Sequence, residues 1–558
     1  MSLLYSVPSA TLRRACAVRG GRTILPIAGM ILADSASPDH GHVENGPSAP
    51  GHGQIPPTRL TAAQRIAKNA AVPTVANLIN RGLDFGFAIV MLRVLGPTEV
   101  GRYTWAVLVV GYFDILINFG LAVLITRDVA RDPGAAGRYL GGALVVRGAM
   151  WAGAMAISAL IAGPLASTIG IADEVRLTLL LLTLGIGVSN ASGIAGALFN
   201  AAERMEVPAL VTIFTSAMKV VSGVVVLAAG LGIVGIGAVS VGVNLATAAV
   251  LAALFVRLVG TPHPTVSFSS ARAMVQDSYP LMINNLLATL FFRVDGLILR
   301  AMAGDAALGW YGSAYKFIDG IGTIPANVTL ALFPILSRIS DGSTGPTAHP
   351  SAEMSRIVEI ALKALLSIAF PISVGATLLA EPLIRGFAGE QYLPHAAIAL
   401  RILVWYAPFG FVNSLLQYVL IAANRQRFIT VAFFGAALFN AVVNLFAVSR
   451  WSYVGAAIVT VASEVLLLTL FLVALRTRIR VQGALRQGWR PLVAAGIMAP
   501  VVWLVGNGSI GFAVLSGAVM YSLALVALGG VRKDELELIR QAIPLGALPA
   551  RQGTGARD

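Results

Sequence analysis

Fourteen apolar runs of about 20 residues each, separated by short polar loops, fill this 558-residue chain from about residue 70 to residue 530. Runs of that length match a hydrocarbon core of about 30 Å at 1.5 Å of helical rise per residue. Inside lipid, only helices and closed barrels satisfy every backbone N–H and C=O, and runs of this length are helices. The spans are predicted near 70–92, 103–126, 139–163, 176–199, 207–230, 233–258, 278–302, 308–335, 357–379, 395–421, 429–449, 453–475, 490–507 and 510–530. Charged residues make up 12% of the chain, about half the soluble average of ~25%. The deficit extends over all the spans, which excludes a soluble domain on one anchor. The fold class expected is an all-α polytopic membrane protein.

The net charge of +14 does not point to nucleic acid, because 35 arginines and five lysines are spread over short loops rather than gathered on one face. With the N-terminus inside, alternate loops hold sixteen Arg and Lys against six on the opposite side, from Arg93 to Arg450. The positive-inside rule then predicts both termini in the cytoplasm and the chain in the cell's cytoplasmic (inner) membrane. One cysteine, Cys16, excludes an intrachain disulfide framework. The six histidines lie in the tail, in loops or at a helix edge without metal-site spacing, and neither metal nor cofactor is expected. No lysine follows a glycine, so a phosphate-cradling ATPase loop is absent. Gly230-x-Gly232-x-x-Gly235 has the letters of a dinucleotide fingerprint but no strand before it, and reads as a turn.

An internal repeat sets the architecture. Pro73-x3-Asn77-x15-Arg93 recurs as Pro280-x3-Asn284-x15-Arg300, shifted by 207 residues, and Gly101-x-Tyr103 recurs as Gly309-x-Tyr311, shifted by 208. "AAER" (201–204) faces "AANR" (422–425), and "VGIGAVSV" (234–241) faces "VGAAIVTV" (454–461). Each copy holds six helices, so the two share one orientation and are related by a pseudo-twofold along the membrane normal. The predicted organisation is a disordered cytoplasmic extension (1–68), a first six-helix bundle (69–260), a second (272–475), a C-terminal helical hairpin (490–530) and a cytoplasmic tail (531–558). The extension contains "ASPDHGHVENGPSAPGHGQIPPT", too poor in apolar residues to fold.

"RVLGPTEVGRYTWA" (93–106) resembles the R-x-LGP-x-x-x-G-x-Y signature of the bacterial polysaccharide exporters. These are the lipid-linked oligosaccharide flippases of the multidrug/oligosaccharidyl-lipid/polysaccharide superfamily. "FRVDGLILRAMAGDAALGWYGSAYKF" (292–317) is similar to that family's second-half segment, and "FPILSRI" and "LIAANRQR" to later landmarks. The resemblance covers roughly 70–475. It implies two bundles in a V with alternating access to a central cavity, no enzymatic step, and a role in polysaccharide, lipopolysaccharide or O-antigen export. The implied partners are a polyprenyl-(pyro)phosphate-linked glycan, membrane lipids and other polysaccharide-assembly proteins.

A charge at the bilayer centre costs roughly 2.5–3.5 kcal/mol on insertion scales, so charges within spans mark interior or functional positions. A lipid pyrophosphate needs cations, and the candidates are Arg81, Arg147, Arg293, Lys316 and Arg401. The pairing or coupling-ion candidates are Asp84, Asp295 and Asp319. Arg81/Asp84 and Lys316/Asp319 are spaced i,i+3, which allows pairing on one helical face. Arg293 and Asp295 point opposite ways around a helix, so each needs another partner. Lys219 reads as structural. Structural interhelical ion pairs are the competing reading of every one of these charges. Pro325, Pro371 and Pro408 are expected to bend helices 8, 9 and 10. The alternative function is a cation-coupled exporter of small molecules or drugs on the same fold.

Overall fold

The computed structural model describes residues 62–258, 260, 265–341, 352–476, 488–506 and 508–530. The described residues are helical throughout, joined by turns, with no strand among them. The first repeat runs α1 (Ala62–Asn118), α2 (Leu121–Arg131), α3 (Ala136–Ala162), the single turn α4 (Ala166–Ile169), α5 (Asp173–Ala201), α6 (Glu206–Ala228) and α7 (Gly232–Leu258). The second runs α8 (Phe268–Ile321), α9 (Thr323–Asp341), α10 (Ala352–Leu378), the short α11 (Ala380–Phe387), α12 (His395–Leu403), α13 (Tyr406–Ala422) and α14 (Gln426–Leu475). A hairpin of α15 (Trp489–Gly506) and α16 (Ile510–Ala527) follows. Residues 62–68, which the sequence reading counts in the N-terminal extension, are helical in α1; the rest of that extension and the tail from 531 lie outside the described residues.

Among the described residues, ten stretches are long and apolar enough to cross a membrane. Two of them are double, folded at Gly96 within α1 and at Ser452 within α14. Helix α8, kinked at Gly304, supplies two limbs, the second continuing into α9. Counting each double stretch as two limbs and adding the two limbs of α8 gives fourteen helical segments among the described residues, at the positions of the fourteen apolar runs. Neither α8 nor α9 is among the ten, and α8 carries Arg293, Asp295, Lys316 and Asp319.

The breaks repeat with the sequence. Gly96 (φ 72°, ψ 172°) and Gly304 (φ 85°, ψ 179°) lie 208 residues apart in a conformation open chiefly to glycine. Glu203 (φ 58°) and Asn424 (φ 56°) lie 221 apart at the ends of α5 and α13. Their following residues close the same helix-ending bond, Arg204 N to Phe199 O at 2.9 Å and Arg425 N to Leu420 O at 2.8 Å. Gly232 (φ 55°) and Ser452 (φ 48°) are related by 220. Two copies of one unit have therefore kept the same left-handed corners. The prolines behave differently from expectation. Pro325 and Pro408 lie in the first turns of α9 and α13, where a missing N–H is no loss, and Pro371 alone of the three is internal to its helix.

Each repeat buries its own core. In the first, Leu121, Ile125, Phe199 and Phe255 pack together; in the second, Phe291, Leu362, Phe411, Phe433 and Phe471 do so. A further cluster, with Val100, Leu299, Tyr311, Tyr392 and Val404, joins the repeats where α1 meets α8. The hairpin packs on α10 through Ala494, Met498, Val502 and Ala513, and Tyr521 donates its hydroxyl to Ser367 O at 2.7 Å. The architecture is two six-helix bundles related by a pseudo-twofold, plus a C-terminal hairpin.

Candidate functional site: the cavity between the repeats

Helices α1 and α8 cross beyond their kinks. A Cβ on Gly101 would lie 1.8 Å from Asp305 O, and one on Gly309 would lie 1.9 Å from Pro97 O. Gly101 corresponds to Gly309 and Pro97 to Asp305 under the 208-residue shift, so this contact is its own mirror under the pseudo-twofold. Only glycine at both positions lets the two backbones touch. Around the crossing, Asp305 receives Arg300 at 2.7 Å and, from the other repeat, Arg102 at 3.5 Å. Arg300 also stacks 4.3 Å over Trp105 and reaches Gly170 O at 3.4 Å, both in the first repeat. Its counterpart Arg93 donates to Gly386 O in the second repeat. Gln391 adds bonds of 3.2 Å to Leu92 O and Arg93 O. This end of the interface is sealed by reciprocal latches.

Between the sealed crossing and the charged ends of the same helices lies a cavity of about 260 Å³. Its walls include Tyr103 and Thr104 from α1, and Arg293, Tyr315, Lys316 and Asp319 from α8. Arg293 stands on the first limb of α8 and Asp319 on the second; they pair at 3.0 Å, with side chains 40% and 36% exposed. The Arg293 guanidinium lies 5.1 Å from the centre of the Tyr315 ring. Arg81 reaches across from α1 to donate to the main-chain oxygen of Asp319 at 3.5 Å. Lys316 is exposed a turn before Asp319 and forms no ion pair among the described residues. Beside them, Phe85, Phe317 and Phe387 meet edge to face, with ring centres 4.9–6.3 Å apart. Arginines from two repeats thus converge on one carboxylate-bearing turn.

The local pairings expected from i,i+3 spacing are not those adopted. Asp319 takes Arg293 rather than Lys316, and Arg81 bonds to Asp319 O rather than to Asp84. Asp84 instead lies in electrostatic reach of Lys219 on α6 and of Tyr103. Half-exposed neighbours on one helix gain little from each other, whereas a partner across the cavity also satisfies the interface. Asp295 lines the same cavity as Arg293 but is 3% exposed. Its carboxylate accepts Thr460 Oγ1 at 3.0 Å, Gly296 N at 2.8 Å and a short bond from Tyr311 Oη.

Three of the cationic candidates do not line the cavity: Arg81, which meets it only through Asp319 O, Arg147 and Arg401. Arg147, 4% exposed, is enclosed in the first bundle, where it donates to Asn118 Oδ1 at 2.9 Å and to Asn190 O. Asn190 in turn donates to Asp114 Oδ1 at 2.6 Å. Arg401 faces Glu381 at 3.9 Å on a half-exposed surface. The sequence reading also missed Asn413, which clamps the buried Glu464 through Oε2 at 2.7 Å and its main-chain oxygen at 2.9 Å. The spacing of apolar runs carries no signal for such bonds between helices. Among the described residues, no three His, Cys, Asp or Glu side chains converge on a metal-sized site.

The polysaccharide biosynthesis protein family matches residues 66–340, and the MatE family matches 280–446. Among solved structures, the chain is similar to the lipid II flippase MurJ in an inward closed conformation, with a TM-score of 0.68 at 14% identity, covering 84% of this chain and 99% of that one. An inward-facing multidrug resistance MATE family transporter matches with a TM-score of 0.58 at 13% identity, covering 74% and 99%. A Vibrio cholerae MATE transporter matches with a TM-score of 0.52 at 15% identity, covering 75% and 97%. A comparison with curated proteins gives no match. Identities this low speak for the fold. The two family matches, over 66–340 and 280–446, each cover less than half of the chain and agree with that fold likeness.

Proposed function

We propose that this protein is a flippase that moves a lipid-linked oligosaccharide, or a related polysaccharide precursor, from the cytoplasmic to the outer leaflet by alternating access. The observation that carries this reading is the pair of cations Arg293 and Lys316 beside Asp319 in the wall of a cavity between repeats whose other end is sealed, with Arg81 reaching Asp319 O from the other repeat. A polyprenyl diphosphate brings several negative charges on adjacent phosphates. Arginine offers a planar fork that stays charged and matches phosphate oxygens in pairs, and lysine adds a mobile point charge. The polar head then occupies the cavity while the apolar carrier remains in lipid. Loop charges orient both termini toward the cytoplasm, in the cytoplasmic membrane. In this role the protein works beside the enzymes that build and polymerise the glycan.

Cation-coupled export of a small molecule is the second reading, supported by the MatE match and by a cavity of only about 260 Å³. One experiment separates the two. The gene is deleted, the lipids of the cytoplasmic leaflet are analysed, and the strain is complemented with wild type or Arg293→Ala. A lipid-linked glycan that accumulates, and that wild type clears but Arg293→Ala does not, is the expected result. Unchanged lipids with new sensitivity to small toxic molecules would favour the exporter and sink the flippase.

A further inference from the structure

Asp319 is in an unusual position for a site that would bind an anion. Its carboxylate occupies Arg293, the cation on the opposite limb of α8, at 3.0 Å. Its main-chain oxygen occupies Arg81 from the other repeat at 3.5 Å. The other acid in the cavity wall, Asp295, is fully engaged by Tyr311, Thr460 and Gly296 N. Asp319 is therefore the carboxylate that stands where an anion bound to Arg293 would stand. The kink at Gly304 separates the two limbs it ties together.

Resting on the diphosphate reading above, we propose that Asp319 is an internal counter-anion: it holds Arg293 when the cavity is empty, is displaced by the substrate's diphosphate, and returns to Arg293 to drive release. A tethered carboxylate competes at an effective concentration of about millimolar or more. A single half-exposed ion pair is weak, so a group with more charge and two sets of oxygens displaces it. Displacement also unties the two limbs of α8. Without Asp319 the site carries one more net positive charge, so the same diphosphate is held harder and leaves more slowly.

Competition and simple positioning predict opposite signs. The full-chain protein in lipid nanodiscs is titrated with farnesyl diphosphate, and clearance of the accumulated lipid-linked intermediate is followed in cells, for wild type, Asp319→Asn, Asp319→Glu and Arg293→Ala. Asp319→Asn is expected to bind the probe about two- to fivefold more tightly, the scale of one half-exposed ion pair, while clearing the intermediate more slowly. Asp319→Glu, which restores the charge, should recover both values. Weaker or unchanged binding in Asp319→Asn, with Arg293→Ala still losing the probe, overturns the counter-anion and leaves the diphosphate site standing. Undiminished binding by Arg293→Ala overturns both.

Discussion

The same two helices, α1 and α8, behave in opposite ways at their two ends. At the crossing, two backbones touch through Gly101 and Gly309, and the charges are paired and shielded: the Arg300 side chain is 7% exposed and lies against both Asp305 and Trp105. At the cavity, the charges are more exposed, and among the described residues Lys316 has no ion-pair partner and Arg293 has only Asp319. Buried pairs punish separation because each ion left behind is stranded away from water. Half-exposed pairs exchange partners cheaply. An arginine at the crossing therefore acts as a fastener, and an arginine at the cavity is available to a ligand.

The largest disruption should come from the crossing itself. Gly309→Val puts a branched side chain where a Cβ alone would lie 1.9 Å from Pro97 O. Overpacking of this kind costs about 1–3 kcal/mol or more, and no neighbouring side chain can move to relieve a backbone clash. Protein yield and complementation should both fail. Gly82→Ala, on the same α1 helix with nothing within 4 Å of its Cβ, is the control and should be neutral or slightly stabilising. Equal tolerance at both sites would show that the crossing is not a tight seal.

Removing a fastener comes next. Arg300→Ala should cost about 3 kcal/mol in thermal unfolding, the lower end for a broken buried pair, because Arg102 still faces Asp305 at 3.5 Å. Arg293→Ala should reverse the pattern: near-normal abundance on a quantitative blot, but clearance of the intermediate slower by roughly 10–100-fold, as for a lost charge-assisted hydrogen bond of ~1.5–3 kcal/mol. Asp295→Ala, two residues away, should chiefly lower abundance, since it orphans the donors of Tyr311, Thr460 and Gly296. If Arg293→Ala lowers abundance and Asp295→Ala only slows clearance, the two roles have been assigned the wrong way round.

Smaller effects test the cavity more finely. Arg81→Lys keeps the charge but loses the fork, so complementation should fall between wild type and Arg81→Ala. Exchanging Arg81 and Asp84 should not complement, because the cation moves by about one 5.4 Å turn away from Asp319. Full activity of the swapped protein would mean that Arg81 serves only to neutralise. Smallest of all, Arg401→Ala removes a 3.9 Å half-exposed pair with Glu381. Stability should change by no more than ~0.5 kcal/mol, with clearance unaltered.

The sequence by itself determined the spans, because hydrocarbon thickness fixes helix length and the cost of burying charge fixes composition. It also determined the repeat, whose offsets of about 208 and 220 residues relate the left-handed corners that the structure shows at Gly96 and Gly304, Glu203 and Asn424, and Gly232 and Ser452. Periodicity predicts Arg293 and Asp295 on opposite sides of their helix, yet both line the one cavity. Only the tertiary structure decided which charges meet. Spacing of i,i+3 offered Asp319 to Lys316 and Asp84 to Arg81. The fold gave Asp319 to Arg293, across a kink and 26 positions along the chain, and its carbonyl to Arg81 in the other repeat. It withdrew Arg147 into the first bundle and left Arg401 on the surface. Periodicity fixes a side chain's angle about its own helix axis, whereas its partner depends on how neighbouring axes are rotated and crossed. Here that was set by two glycines that let the backbones touch.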